Sequence, residues 1–257
     1  MELLPLQSGI LYGPVNSRRL GKSLGINLMP GSYKLCSFNC VYCHYGWTKK
    51  KTVDFSNYHK DLPDIDEVVK PVEWAFKSSL EFDFLTFSGN GEPTLYPYFA
   101  ELVEEVAGLR NVYRPKVKLA LLSNSTGLAR EDVLLSLSKI DFAFLKLDAG
   151  TEAKFRAINR PARGINFSDI LDSLRSVKEF HIQTVLIEGN PSNVAEDDLE
   201  AYFKKISFIK PKQVHIYSID RPFPNRGISL VSRDRLEEIA DRGKKETGVD
   251  IRPFYLQ

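Results

Sequence analysis

Phe142-Ala143-Phe144-Leu145-Lys146-Leu147-Asp148 is the stretch whose alternation decides the architecture. Successive side chains on a strand point to opposite faces. Ala143, Leu145 and Leu147 therefore share one apolar face suited to packing under helices. Phe144, Lys146 and Asp148 share the other. A sealed barrel core is filled by branched apolar side chains, so a lysine and an aspartate pointing inward imply an open barrel with a functional end. The same parity turns Asn27, Thr86, Ser88, Gln183, His215 and Tyr217 inward. Taken singly, each reads better as a hydrogen-bonded core polar group; their agreement across strands favours a site.

Working outward, short apolar runs bounded by Gly, Asn, Asp or Pro mark further strands at Leu24–Leu28, Asp83–Ser88, Val117–Ser123, His181–Ile187 and Gln213–Ile219. Helices lie between them. Asp64 and Glu67 form a capping box ahead of a helix that Pro71 should kink. Ser168, Asn193 and Ser232 each precede a run with one apolar face. Alternation of this kind means βαβ units on a parallel sheet. Six units are too few for an eightfold barrel, so the expected fold is α/β, a partial (β/α)6 TIM-type barrel. Residues 1–23 read as an N-terminal extension, 24–220 as the barrel core and 221–257 as a C-terminal segment of one domain.

The chain has 257 residues, 43% hydrophobic and 26% charged, with a net charge of +2. Those values suit an ordinary globular enzyme, and no apolar run reaches transmembrane length. The weak positive charge permits a nucleic acid or phosphorylated substrate without implying one. Met1-Glu2-Leu3-Leu4-Pro5 lacks the basic and apolar regions of a secretory leader. The expected location is cytoplasmic.

All three cysteines fall in Cys36-Ser37-Phe38-Asn39-Cys40-Val41-Tyr42-Cys43. An odd number of cysteines argues against a disulfide framework. Three thiolates with no fourth can hold an iron–sulfur cubane through three irons and leave one iron open, as catalytic metal sites do. A structural zinc site would need His44, which sits directly beside Cys43 and matches no common knuckle spacing. Ser88-Gly89-Asn90-Gly91-Glu92-Pro93-Thr94 follows the second expected strand. Its glycines allow close backbone approach, and a carboxylate at a barrel mouth suits an ammonium group. Ser123-Asn124-Ser125-Thr126-Gly127 follows the third and reads equally as hydroxyl and amide ligands or as a helix cap.

The cysteine spacing, with Tyr42 before the last cysteine, resembles the cluster motif of the radical SAM superfamily. The resemblance implies a [4Fe-4S] cluster on Cys36, Cys40 and Cys43 in a loop after the first strand, with S-adenosyl-L-methionine chelated at the open iron. Ser88–Thr94 resembles the superfamily's glycine-rich amino-binding motif, with Asn90 where glycine is commoner. It implies that Gly89, Asn90, Gly91 and Glu92 hold the methionyl amino group. Ser123 and Asn124 fall where ribose or carboxylate is bound, and Ile187 where adenine is held. Tyr42, Asp148 and Gln183 complete the candidate cofactor contacts.

Gly13-Pro14-Val15, Ser17-Arg18-Arg19-Leu20-Gly21, Lys146-Leu147-Asp148-Ala149, Asn159-Arg160-Pro161 and Asp220-Arg221-Pro222 extend the likeness nearly end to end. They resemble the radical SAM oxidoreductases related to the tricyclic-wyosine synthase of tRNA modification. That synthase carries extra cysteines for a second cluster, absent here, which implies a related but different reaction. The implied activity is generation of a 5′-deoxyadenosyl radical that abstracts hydrogen from a nucleotide, nucleoside or other small anionic substrate. Lys146, Arg160 and Arg221 are the candidate catalytic residues, forming an anion-binding edge; salt bridges to neighbouring acids explain them equally well. The implied partners are an electron donor such as flavodoxin or ferredoxin, and tRNA is a further possible one; no membrane partner is expected. Two alternatives stand: a glycyl-radical-enzyme activase acting on a protein, and a zinc-stabilised nucleic-acid-binding module.

Overall fold

The computed structural model describes residues 3–255. Strands β1 (Leu11–Ser17) and β2 (Gly21–Asn27) form an antiparallel hairpin. Two short strands, β3 (Leu35–Cys36) and β4 (Lys50–Lys51), pair parallel in the long loop that follows. The chain then alternates through α1 (Ile65–Lys77), β5 (Phe84–Ser88), α2 (Phe99–Tyr113), β6 (Lys118–Ser123), α3 (Glu131–Ser136) and β7 (Phe142–Lys146). It continues through α4 (Glu152–Asn159), α5 (Phe167–Ser176), β8 (His181–Gly189), α6 (Glu196–Ile209) and β9 (Gln213–Ser218). Strand β10 (Ile228–Leu230), helix α7 (Arg233–Thr247) and strand β11 (Ile251–Phe254) complete it.

The large sheet has the order β1-β2-β5-β6-β7-β8-β9-β11, with β10 antiparallel on β8. Every neighbouring pair from β2 to β11 is parallel. Helical crossovers join these strands, as parallel pairing requires. The six expected strands are β2 and β5 to β9, and together they make the partial barrel.

Five strands escape sequence reading: the short β3, β4 and β10, and the longer β1 and β11. The last two share a reason. Each carries a proline, Pro14 or Pro253, which cannot donate to a ladder, and each lies at a sheet edge where that loss is tolerated. Strand β2 starts at Gly21 rather than Leu24 because the hairpin with β1 extends it. The Phe142 strand ends at Lys146 rather than Asp148. Helix α5 is capped from Asn166, so Ser168 lies inside it, and α6 starts after Ala195 rather than Asn193. Ser232 does cap α7, accepting from the Arg235 N–H. The Glu67 carboxylate accepts from the Asp64 N–H at 2.9 Å as the capping box demands, and α1 runs unbroken through Pro71.

Side-chain parity holds. Ala143, Leu145 and Leu147 belong to the large core beneath the helices, beside residues such as Val103, Leu174 and Ile206. Phe144 instead joins Leu20 and Ala120 in a smaller cluster flanked by Phe84, Leu122 and Phe142. That cluster is the barrel interior, and the β1–β2 turn fills it with Leu20. Arg19 follows Leu20 inward and stacks on Tyr217 and Phe144, 4.9 and 5.6 Å from their ring centroids. The interior is thus packed at the N-terminal ends of the strands and polar toward the other end.

Candidate active site

The three cysteines sit in the loop between β2 and α1. Cys36 and Cys40 are buried and Cys43 is half-buried. Backbone bonds fix this loop to α4 and the chain beyond it: Asn39 N–H to Asn159 O, Val41 N–H to Ile158 O, and Ala162 N–H to Ser37 O, at 2.8 to 3.0 Å. Amide donors reach the sulfurs. Asn124 Nδ2 lies 3.7 Å from Cys36 Sγ, and Asn159 Nδ2 lies 3.5 Å from Cys40 Sγ. Burial pushes the Cys36 thiol up to about 12 and raises Cys40. Free thiols in such a place gain little, whereas N–H groups aimed at sulfur suit an anionic iron–sulfur cluster. Among the described residues no three His, Cys, Asp or Glu side chains converge on one metal ion; a cubane asks for one thiolate on each of three irons.

Lys34 enters from two residues upstream. It is 5% exposed, and its ammonium donates to Gly46 O at 3.0 Å. Burial pulls it down, but the sulfurs of Cys43, Cys36 and Cys40 hold it above the ordinary lysine range. A lysine that near the first cysteine was the one signal available in the sequence.

Asp148 is the hub behind the loop. Its carboxylate accepts from Tyr42 Oη in a short bond, from Asn159 Nδ2 at 2.6 Å and from Val185 N–H at 2.8 Å. Lys146 Nζ stands 3.7 Å away, and its ammonium lies 5.2 Å from the Tyr42 ring centroid. Burial would lower Lys146, yet the Asp148 carboxylate outweighs it and raises the lysine. Lys146 at the end of β7, Asp148 just beyond it, Tyr42 and Asn159 thus become a single network reaching Cys40. Asn193, read from sequence as a helix start, instead bridges Asp148 O, Val185 O and Ile187 N–H, each at 2.8 Å. Ile187 itself is fully buried in the core.

The glycine-rich turn after β5 packs against the cysteine strand. A Cβ on Gly91 would meet Leu35 O at 1.8 Å, and one on Gly89 (φ +105) would meet Asn27 Oδ1 at 2.5 Å. Asn90 is fully buried and commits its whole amide, accepting from Gln7 N–H and donating to Gln7 O and Pro30 O. The residue that departs from the glycine pattern is therefore a clamp on the N-terminal segment. Glu92, 1% exposed, accepts from Thr94 N–H and Oγ1, Ser123 Oγ and Asn124 N–H. Burial raises this carboxyl, against the pull of those donors. Ser123 and Asn124 thus meet Glu92 and, through Asn124, Cys36.

The remaining candidates divide between two places. Gln183 lies in the barrel interior, accepting from Arg19 at 3.2 Å and Tyr217 Oη at 3.4 Å. Arg221 is exposed near His44, where burial first and the Arg221 charge second push the imidazole down to about 4. Lys146 and Lys34 act on His44 in the same direction, so these cations share its neighbourhood. Arg160 stands elsewhere: its guanidinium stacks 4.9 Å from the Trp47 ring centroid on the cysteine loop. Arg18 pairs with Asp220 at 2.5 Å, and Lys22 with Glu81 at 3.0 Å.

An open parallel barrel with a three-cysteine loop over its strand ends defines an iron–sulfur enzyme class. The sequence pattern of the Radical SAM superfamily matches residues 32–206, and the chain belongs to that superfamily. It is similar to UPF0026 protein slr1464 of Synechocystis sp., 33% identical over 220 residues, covering 83% of this chain and 77% of that one. It is also 27% identical over 251 residues to a GTPase Obg of Brachyspira hyodysenteriae, covering 96% of this chain. The chain spans only 35% of that relative's length. The fold resembles that of TYW1 with a lysine-pyruvate adduct bound, with a TM-score of 0.56 and 18% identity over 88% of this chain and 75% of that one. Membership makes the protein an enzyme that uses a [4Fe-4S] cluster and S-adenosyl-L-methionine. No helix among the described residues is long and apolar enough to cross a membrane.

Proposed function

We propose that this enzyme abstracts hydrogen from a nucleotide, nucleoside or other small anionic molecule held at the barrel mouth. Charge carries this reading. Arg221 is exposed and forms no ion pair among the described residues, beside an imidazole held neutral and the Lys146 ammonium. An exposed, unpaired guanidinium suits bidentate capture of phosphate or carboxylate.

Cys36, Cys40 and Cys43 would hold the cluster, with Asn124 and Asn159 donating to sulfur. Glu92 and the turn Gly89–Gly91 would receive the amino group of the cofactor. Ser123, Asn124, Asp148 and Tyr42 would border its polar parts, and Ile187 would back its base through the core. When bound, the two cofactors supply reductive cleavage of a sulfonium to a 5′-deoxyadenosyl radical that abstracts hydrogen. The protein's part is to exclude water, orient the cleaved bond and fix the substrate anion. An electron carrier such as flavodoxin or ferredoxin fits the need for a reductant, and three free thiols suit a reducing cytoplasm.

Anaerobic reconstitution tests the reading. The protein should bind about four irons as one cubane and cleave S-adenosylmethionine with dithionite. Arg221→Ala should keep that cleavage within about twofold yet lose at least tenfold in affinity for an anionic ligand such as a nucleoside triphosphate, about 1.4 kcal/mol. Equal affinity in wild type and variant would overturn the assignment of the mouth.

A further inference from the structure

The cysteine loop and the turn after α4 that packs on it carry an unneutralised basic patch. Lys49, Lys50, Lys51, Arg160 and Arg163 are all exposed there, around an exposed Trp47. Among the described residues none of these five cations forms an ion pair. About half of the protein's other basic side chains have carboxylate partners, and its net charge is only +2. Two contacts hold the patch together. The Arg160 guanidinium stacks on the Trp47 ring, and the Lys51 ammonium donates to Arg160 O and Pro161 O at 3.3 and 3.1 Å. Arg160 takes a left-handed backbone (φ +45) to make this turn, a conformation a non-glycine residue adopts only where its surroundings impose it.

The patch lies against the cluster site. Strand β4 pairs with β3 so that Lys51 stands opposite Cys36, and Thr52 N–H bonds Cys36 O at 3.1 Å. Paired strands are about 4.8 Å apart. The basic strand is therefore the immediate neighbour of a residue that would hold the cluster.

We propose that this face docks an acidic one-electron carrier protein, and the proposal rests on the reading of the loop as the cluster site. One electron leaves the reduced carrier, which is oxidised, and enters the cluster, which is reduced; no proton moves. The flat indole supplies a desolvated centre of the kind that dominates interface energetics, and the cations around it supply steering. A substrate has a different set of cations, Lys146 and Arg221 near His44. A polyanion such as RNA would demand a broader positive field than a chain of this net charge offers.

The test uses a charge-reversed variant, Lys49→Glu with Lys50→Glu and Arg163→Glu, which spares every residue assigned to cofactor or substrate. Reduced flavodoxin is the probe, in holoenzyme. Its affinity should fall at least tenfold by calorimetry, and the loss should shrink as salt is raised. Cleavage of S-adenosylmethionine driven by flavodoxin should fall at least tenfold, while dithionite-driven cleavage stays within about twofold. Trp47→Ala should weaken flavodoxin binding without the change in salt dependence. Unchanged flavodoxin affinity would overturn the assignment. Loss of tRNA binding with flavodoxin binding intact would overturn it in favour of an RNA face. Equal loss with both reductants would overturn it too, placing the effect on the cluster itself. Failure of the wild type to cleave with dithionite would instead sink the functional reading beneath it, and flavodoxin binding would still report on the face.

Discussion

Replacing Asp148 with alanine removes the one acceptor shared by four groups. The side chain has no solvent exposure, and Lys146 beside it keeps only 14%. Alanine leaves the Tyr42 hydroxyl and the Val185 N–H without their acceptor, takes from the Asn159 amide its shortest bond, and strands the lysine. A buried donor left unpaired costs about 1–3 kcal/mol, and breaking a buried ion pair costs about 3–5 kcal/mol. These losses overlap, because one incoming water can serve several donors, so the net cost is about 3–5 kcal/mol. For a chain of this size that lowers the melting temperature by roughly 6–20 °C. The assay is urea unfolding of the reduced apoprotein, followed by iron content after reconstitution. Asp148→Asn keeps an acceptor for Val185 and should lose about half as much. Adding Lys146→Met to Asp148→Asn should recover part of that loss, since the lysine is no longer stranded. Iron retention should fall in step, because Asn159 loses the partner that aims its amide at Cys40. A loss under about 1 kcal/mol in Asp148→Ala, with full iron content, would refute the hub.

Gly91→Ala should lower both melting temperature and iron content, since its Cβ would press on Leu35 O beside Cys36 and backbone cannot step aside. Gly108→Ala, where nothing lies within 4 Å, should be neutral or slightly stabilising within its helix; equal effects in the two would discredit the close-packing argument. His181 and His215 pack edge to face in the barrel, 5.7 Å between ring centroids. Burial first, then Lys212 for His181 and Arg19 for His215, pushes their imidazoles to about 4 and about 3. The unfolded chain therefore binds protons that the folded chain refuses below about pH 6.5, so their contribution is complete above that pH and declines as pH falls toward 4. The double variant His181→Phe, His215→Phe should flatten that part of the stability profile measured by urea midpoint; an unchanged slope contradicts the assignment.

The barrel was readable because Phe142–Asp148 states both faces of a strand in seven residues, and because the cysteines are isolated in one loop. Edge strands β1 and β11 were not, since a proline in an edge strand looks like a loop signal until its unpaired side is known. Polar side chains were legible as inward-pointing but not as partners. Asn193 resembles a helix cap by position and serves instead as a cross-link between strands and the Asp148 carbonyl. Asn90 occupies a ligand motif and holds the protein's own backbone. Lys146, Arg160 and Arg221 share a charge pattern, yet the fold sends Arg160 to Trp47 and leaves the other two near His44. Sequence spacing fixes which strand end a residue occupies; which neighbour it finds there depends on loops whose path no local pattern encodes.

The backbone bonds that tie the cysteine loop to α4 and to β4 involve no metal. In zinc-finger domains the ion folds the chain, so losing it means unfolding. Here the chain's own bonds also hold the shape of the loop. Iron lost to oxygen would leave the loop tied down, with its amides still facing the sulfurs. Damage and repair at this centre would then be matters of inorganic supply, decoupled from the quality control that removes unfolded proteins.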